Sequence, residues 1–222
     1  MAPPDKLLGE AFHDLSKTGP RASHNIPDGG VFSVYASTAI HAPPQAVYDA
    51  ILDVRKWKEW NTFVPEVTIT SHPHSHSKDI KMTEGVNMTF HVKMKPDEQP
   101  TTSKETCTHV SHVHTRANHG PPAITTIRWN LHNAAIMTPG FLIKAERTNE
   151  IEEAEDGTTR YRTWQTFGGW ASNLVKSRYE QVLQDRFKDW CRDLKKYVEE
   201  QQPNTAMPAA DVGDAKGEGS SM

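Results

Sequence analysis

The chain is poor in the features that would give its function away. It has only two cysteines among 222 residues, too few for a disulfide framework. Cys107 lies in a strand-like stretch and Cys191 on the apolar side of a helical one, so both read as buried thiols. There are 25 basic and 28 acidic residues, for a formal net charge of -3. No basic excess favours nucleic acid or an anionic membrane. No apolar run approaches the roughly twenty residues of a membrane span. The start, Met1-Ala2-Pro3-Pro4-Asp5, lacks a basic segment followed by an apolar one, so no signal peptide is expected and the expected location is cytoplasmic. A Gly-x-Ser-x-Gly elbow and a Gly-rich phosphate loop are both missing.

A long amphipathic run, Trp170 to Glu200, is the strongest positive signal. Leu174, Val175, Tyr179, Val182, Leu183, Phe187, Trp190, Cys191, Leu194 and Val198 recur at three- and four-residue steps, the period of one helical face. Lys176, Glu180, Gln184, Asp185, Lys188, Asp189 and Arg192 fall on the opposite face. At 1.5 Å per residue such a helix runs roughly 45 Å, and one apolar stripe of that length needs a broad surface to lie on.

The preceding chain supplies that surface as strands. Val31 to His41 alternates, with Phe32, Val34, Ala36 and Ile40 on one parity. Val86 to Met94 alternates strictly, and Val67–Ser71, Thr101–His114, Ile124–His132, Phe141–Ile151 and Thr159–Phe167 complete about seven strands. Pro96, Pro100, Gly120-Pro121-Pro122, Pro139-Gly140 and Asp156-Gly157 punctuate them. Between the first two strands, Ala42-Pro43-Pro44 opens a helix to about Val54, because proline suits the first helical turn. Then comes Trp57-Lys58-Glu59-Trp60-Asn61-Thr62-Phe63, whose three aromatics either pack beneath the sheet or border a cavity mouth. The expected class is α+β, a curved antiparallel sheet wrapped round a long C-terminal helix. Residues 28–200 form the expected domain. Residues 1–27 form an N-terminal arm, and 201–222, rich in Ala, Gly, Ser and Pro, a disordered tail.

This order resembles the START-like (SRPBCC) superfamily and its helix-grip fold. Three stretches carry the likeness. Ile40-His41-Ala42-Pro43-Pro44-Gln45-Ala46-Val47-Tyr48 resembles the family's strand-to-helix junction. Trp57-x-x-Trp60-Asn61-x-Phe63 resembles its turn, and Phe167-Gly168-Gly169 its passage from last strand to last helix. The resemblance implies a cavity between sheet and helix that takes a small hydrophobic molecule, lipid-like or polyketide-like. It equally admits a cofactor-independent cyclase, dehydratase or isomerase acting on a polyketide or terpenoid intermediate. At Gln165 the family often has Glu, and near Arg147 it often has His.

Candidate ligand-binding residues are Trp60, Phe90, Trp129, Phe141, Tyr161, Thr163, Gln165, Leu183, Phe187 and Trp190. His109, Arg147, Tyr161 and Gln165 are the candidate catalytic groups, with Arg147 either anchoring a ligand oxygen or pairing outward with Glu146 or Glu150. His72, His74 and His76 alternate in a Ser- and Pro-rich turn without a carboxylate or cysteine to fix their geometry, so no metal is expected. No cofactor and no nucleic-acid partner is expected either. Removing residues 201–222 is expected to leave thermal stability nearly unchanged. A large drop in melting temperature for a 1–200 chain would mean that the tail packs on the domain.

Overall fold

A computed structural model describes residues 5–74, 81–95, 97–116, 120, 123–131 and 142–202. Among these, seven strands form one antiparallel sheet. They are β1 (Phe32–Ile40), β2 (Glu66–Ser71), β3 (Asn87–Val92), β4 (Thr101–Val110), β5 (Ile124–Leu131), β6 (Lys144–Glu153) and β7 (Thr159–Gly168). The order across the sheet is β1-β7-β6-β5-β4-β3-β2, so the first strand closes against the last. Helices α1 (Glu10–His13), α2 (Pro44–Leu52), α3 (Trp57–Trp60) and α4 (Ser172–Glu200) complete the elements, with a 3-10 turn at Val54–Lys56. The architecture is the expected α+β helix-grip fold. Phe141, His76, Pro96, Pro121-Pro122, Pro139-Gly140 and residues 203–222 lie outside the described residues.

Period-two alternation explains one face of the sheet. Phe32, Val34, Ala36, Trp129, Ile127, Tyr161 and Phe167 point towards α4 and are buried. The other face of β1 and β7 is buried as well, because the N-terminal segment packs across it. Arg21 is wholly buried there. Its Nε donates to Phe12 O at 2.7 Å, and its Nη1 and Nη2 donate to Lys17 O and Asp14 O. The guanidinium also sits 4.6 Å from the Tyr35 ring centroid. Trp164 Nε1 donates to Ala22 O, and the Asn25 backbone and side-chain N–H groups donate to the Glu146 carboxylate. The arm is therefore a cover for the sheet. Both cysteines are free and buried, as expected.

At the end of β7 the chain turns sharply into α4. Gly169 has φ +93°, and a Cβ there would lie 2.5 Å from Leu142 O, so only glycine fits. The C-terminal half of α4 packs on a cluster of indoles. Trp190 is fully buried, 4.9 Å from Trp57, 5.1 Å from Trp60 and 6.3 Å from Trp129, centroid to centroid. Its Nε1 donates to Tyr161 OH at 2.8 Å. The N-terminal half is different: Leu174 is 66 % exposed and Tyr179 39 %, although both fall on the apolar stripe. Two residues of the polar stripe, Gln184 and Asp189, are buried instead. Gln184 accepts from Tyr35 N–H and donates to Tyr35 O, which satisfies backbone groups on the unpaired edge of β1. Lys195 donates to Ala39 O and Glu199 accepts from His41 N–H further along the same edge.

An indole of this size buries about 150–250 Å². Trp190→Ala is therefore expected to cost about 3–5 kcal/mol in urea unfolding and to loosen α4, raising the binding of an apolar dye. A cost under about 1 kcal/mol, the scale of surface changes, would mean that the helix does not depend on this contact.

Candidate active site

A cavity of about 200 Å³ lies between the sheet and the N-terminal half of α4. Strand alternation builds its wall. Phe90 and Val92 come from β3, Trp129 and Leu131 from β5, Ala145 from β6, and Phe167 from β7. Val175, Tyr179 and Leu183 of α4 roof it, and Phe63 and Val64 close one side. Four groups of hydrogen-bonding side chains interrupt this apolar lining: Thr101 with Ser103, Glu105, Arg147 and Gln165. The volume is below the roughly 300–1,000 Å³ of pockets that enclose a drug-sized ligand. A fragment-sized molecule, or one end of a longer one, fits inside.

Arg147 points inward, so the alternative of an outward pair with Glu146 or Glu150 does not apply. Glu146 instead accepts from Asn25, and Glu150 pairs with Arg162. The Arg147 guanidinium lies 3.9 Å from the Trp190 ring centroid, 4.3 Å from Phe187 and 5.3 Å from Trp129. Its Nε donates to Thr163 Oγ1 at 3.1 Å. Tyr161 OH donates to Asn149 Oδ1 at 2.7 Å and accepts from Trp190, so a satisfied polar network stands behind the guanidinium. Nη2 has no hydrogen-bond partner. Burial holds the Arg147 pKa below its usual value, offset in part by Tyr161 and Glu105.

Glu105 is buried on β4. Ser103 donates to its Oε1 at 2.5 Å, while Oε2 has no hydrogen-bond partner. Desolvation pushes its carboxyl up to about 7, against the lowering effects of the Ser103 hydrogen bond and the Arg147 charge. A carboxyl poised there can hold or release a proton near neutral pH. Glu105 and Arg147 are the acidic and the basic side chain among the described lining residues, and no ion pair joins them among the described residues. The thiols play no comparable part, since burial pushes Cys107 and Cys191 up to about 12 and keeps them inert.

The expected site residues are divided by this geometry. Phe90, Trp129, Arg147, Gln165 and Leu183 line the cavity. Tyr161, Thr163, Phe187 and Trp190 do not line it; they are packed behind Arg147 as core. Trp60 is buried against Trp190 and Tyr197, away from the cavity. Phe141 lies outside the described residues. His109 is turned to the outer face. A bulge between Cys107 and His109 shifts the register, so Cys107 pairs with inward Trp129 but His109 with Arg128. Glu105 was missed by sequence reasoning, although a signal existed: Ser103 and Glu105 share the parity of buried Cys107. His72 and His74 rings stand 6.0 Å apart, with His72 hydrogen-bonded to Lys81 O.

A family model described as polyketide cyclase / dehydrase and lipid transport matches residues 31–199. The chain belongs to that family. Its fold is that of the START-like superfamily. A relative, "Oxopyrrolidines biosynthesis cluster protein O" of Penicillium oxalicum, is 26% identical over 164 residues, covering 70% of this chain and 81% of that protein. A hypothetical protein of Helicobacter pylori superposes with a TM-score of 0.60 at 11% identity, over 82% of this chain and 97% of that one. An aromatase/cyclase of a Streptomyces species superposes with a TM-score of 0.53 at 11% identity, over 76% and 94%. The two structural likenesses show a shared fold.

The raised Glu105 pKa carries a sign for stability. Protonation of this buried carboxyl favours the fold, a contribution fully present below the unfolded value of 4.5 and lost as pH rises through about 7. Glu105→Gln, neutral at every pH, is expected to melt higher than the natural protein at pH 8, by at most about 3 kcal/mol, and to differ little at pH 5. Thermal melts at the two pH values check this; an equal shift at both would show that the carboxyl is solvated.

Proposed function

We propose that the protein is a cofactor-independent enzyme that drives ring closure or dehydration of a small carbonyl-rich intermediate by proton transfer. The observation that carries this reading is the meeting of Glu105 and Arg147 in one apolar cavity, each with a buried polar atom that has no partner. A container needs shape and apolar area; two unsatisfied ionisable groups in its wall are a cost without a return. A catalyst uses them. Ionised Glu105 removes a proton from a carbon next to a carbonyl, and Arg147 holds the oxygen of the resulting enolate. The enolate carbon attacks a second carbonyl, and Glu105 returns the proton to the new alkoxide. A second proton removal from carbon, with proton delivery to the hydroxyl, expels water. Gln165 and Ser103 orient the ligand and the carboxyl, and the apolar wall keeps bulk water from quenching the enolate.

The family description names cyclases, dehydrases and lipid transport together, which is compatible with either chemistry or carriage. The name of the Penicillium relative refers to a biosynthesis cluster, and this supports a substrate from secondary metabolism. The contents of the cavity favour chemistry over carriage.

The test follows ring closure of a linear β-keto thioester above its uncatalysed background. Glu105→Gln is expected to lower the rate by roughly 10²–10⁴, the usual scale of acid–base assistance, with ligand affinity nearly intact. If the natural protein gives no ring closure above background while Leu183→Trp abolishes binding, the protein is a carrier and the enzyme reading fails; turnover unchanged in both Glu105→Gln and Arg147→Met rejects the roles given to these two residues.

A further inference from the structure

The charge of the cavity says something about its ligand that neither fold nor family does. Arg147 brings one fixed positive charge into the wall, and its surroundings do not cancel it. Three aromatic faces, the Thr163 hydroxyl and the Tyr161 phenol, all uncharged, surround the guanidinium. No carboxylate is within ion-pair distance of it among the described residues. Tyr161 and Cys191 are the other titratable groups close to it, and burial keeps both in their neutral, protonated forms. Desolvating a cation without a counter-charge is costly, and aromatic faces offset only part of that cost.

Glu105 is the group that would be expected to supply the balance, and it does so only in part. On its own strand it meets Ser103; from β6 it meets Arg147; Tyr179 is the titratable group that α4 adds to the wall, and β3, β5 and β7 add none. Burial favours its neutral form up to about neutral pH. With the proton on, Glu105 is a hydrogen-bond donor beside a guanidinium whose Nη2 is unpartnered. Both residues line the cavity, whose wall then holds two donors and no negative charge to accept from them.

We propose that the cavity selects a monoanionic ligand whose charge is shared by two oxygens, a carboxylate or the enolate of a 1,3-dicarbonyl, with Arg147 contacting one oxygen and protonated Glu105 the other. The inference rests on the reading of this cavity as the ligand site, and sharpens it: a neutral lipid or hydrocarbon is a poor occupant. It also links binding to proton uptake. An anion beside Glu105 opposes its ionisation, so above neutral pH the carboxyl must gain a proton as the ligand enters. Affinity is highest below about pH 7 and falls roughly tenfold per pH unit above it.

Calorimetry on the full chain tests this with three probes of the cavity's size: benzoate, the enolate of 5,5-dimethylcyclohexane-1,3-dione, and neutral benzamide. At pH 6 at least one anion is expected to bind ten times or more tighter than benzamide, and which one identifies the source of the oxygen pair. At pH 7.5 the observed heat is expected to vary with the ionisation enthalpy of the buffer, reporting net proton uptake. Glu105→Gln is expected to abolish that uptake, since glutamine donates without titrating, and Arg147→Met to remove the preference for anions. Equal binding of benzoate, the dione and benzamide, or anion binding without proton uptake in the natural protein, overturns the proposal; these measurements need no variant to fold. Failure here with Glu105-dependent ring closure intact rejects the anionic ligand alone, whereas anion binding without any Glu105-dependent turnover rejects the enzyme and keeps the ligand.

Discussion

The stacking of Arg147 on Trp190 is the contact on which the rest depends. The guanidinium needs a place out of water, and the indole face supplies one at 3.9 Å. That same indole is locked by Trp57 and Trp60 on its far sides and by its hydrogen bond to Tyr161. The seating of α4, the packing of the short α3 and the position of the cavity's one fixed charge thus share a single side chain. If Trp190 moved, the helix would lose its central anchor and Arg147 its support. The seating of the helix and the placement of the cavity's charge are coupled at this point.

The cavity occupies only part of the sheet–helix interface, and the distribution of large aromatics explains why. Towards the C-terminal half of α4 the indoles of Trp57, Trp60, Trp129 and Trp190 fill the space, with ring centroids between 4.9 and 6.3 Å apart. Towards the N-terminal half the wall residues are thinner: Val175, Leu183, Ala145 and Val92. Space is left where side chains are small and removed where they are large. The result places the polar pair at the boundary between the filled and the open regions, where the dielectric is low and a ligand can still reach.

The architecture was largely legible in the sequence because it follows from period. Two-residue alternation and a 3.6-residue stripe identify about seven strands and one long helix, and the structure has those elements within a few residues. The site was legible in part. Phe90, Trp129, Arg147, Gln165 and Leu183 lie in the wall; for Arg147 the sequence left the inward and outward placements open, because the strand around it does not alternate cleanly. What escaped depended on features that period does not encode. A single bulge between Cys107 and His109 turns the histidine to the opposite face. Phe187 and Trp190 have the right helical phase but lie at the wrong height along α4, where the core is solid. Glu105 looked like an ordinary strand carboxylate, and only its alignment with Cys107 marked it as buried. Gln184 belonged by phase to the solvent and by contact to the edge of β1.

That edge has a consequence for how the protein is made. β1 is the first strand synthesised, yet its neighbour in the sheet is the last, and its free side is closed by Gln184, Lys195 and Glu199 of the helix that follows. Until β7 has emerged the nascent β1 has no strand partner, and until α4 has followed, its free side is uncovered and the sheet has no roof. Strands β2 to β6 can pair as a meander, but their apolar face stays open. Productive collapse must therefore wait for the whole domain. The unpaired edge of an incomplete chain is a template for association with other chains, and in this fold that edge is closed last.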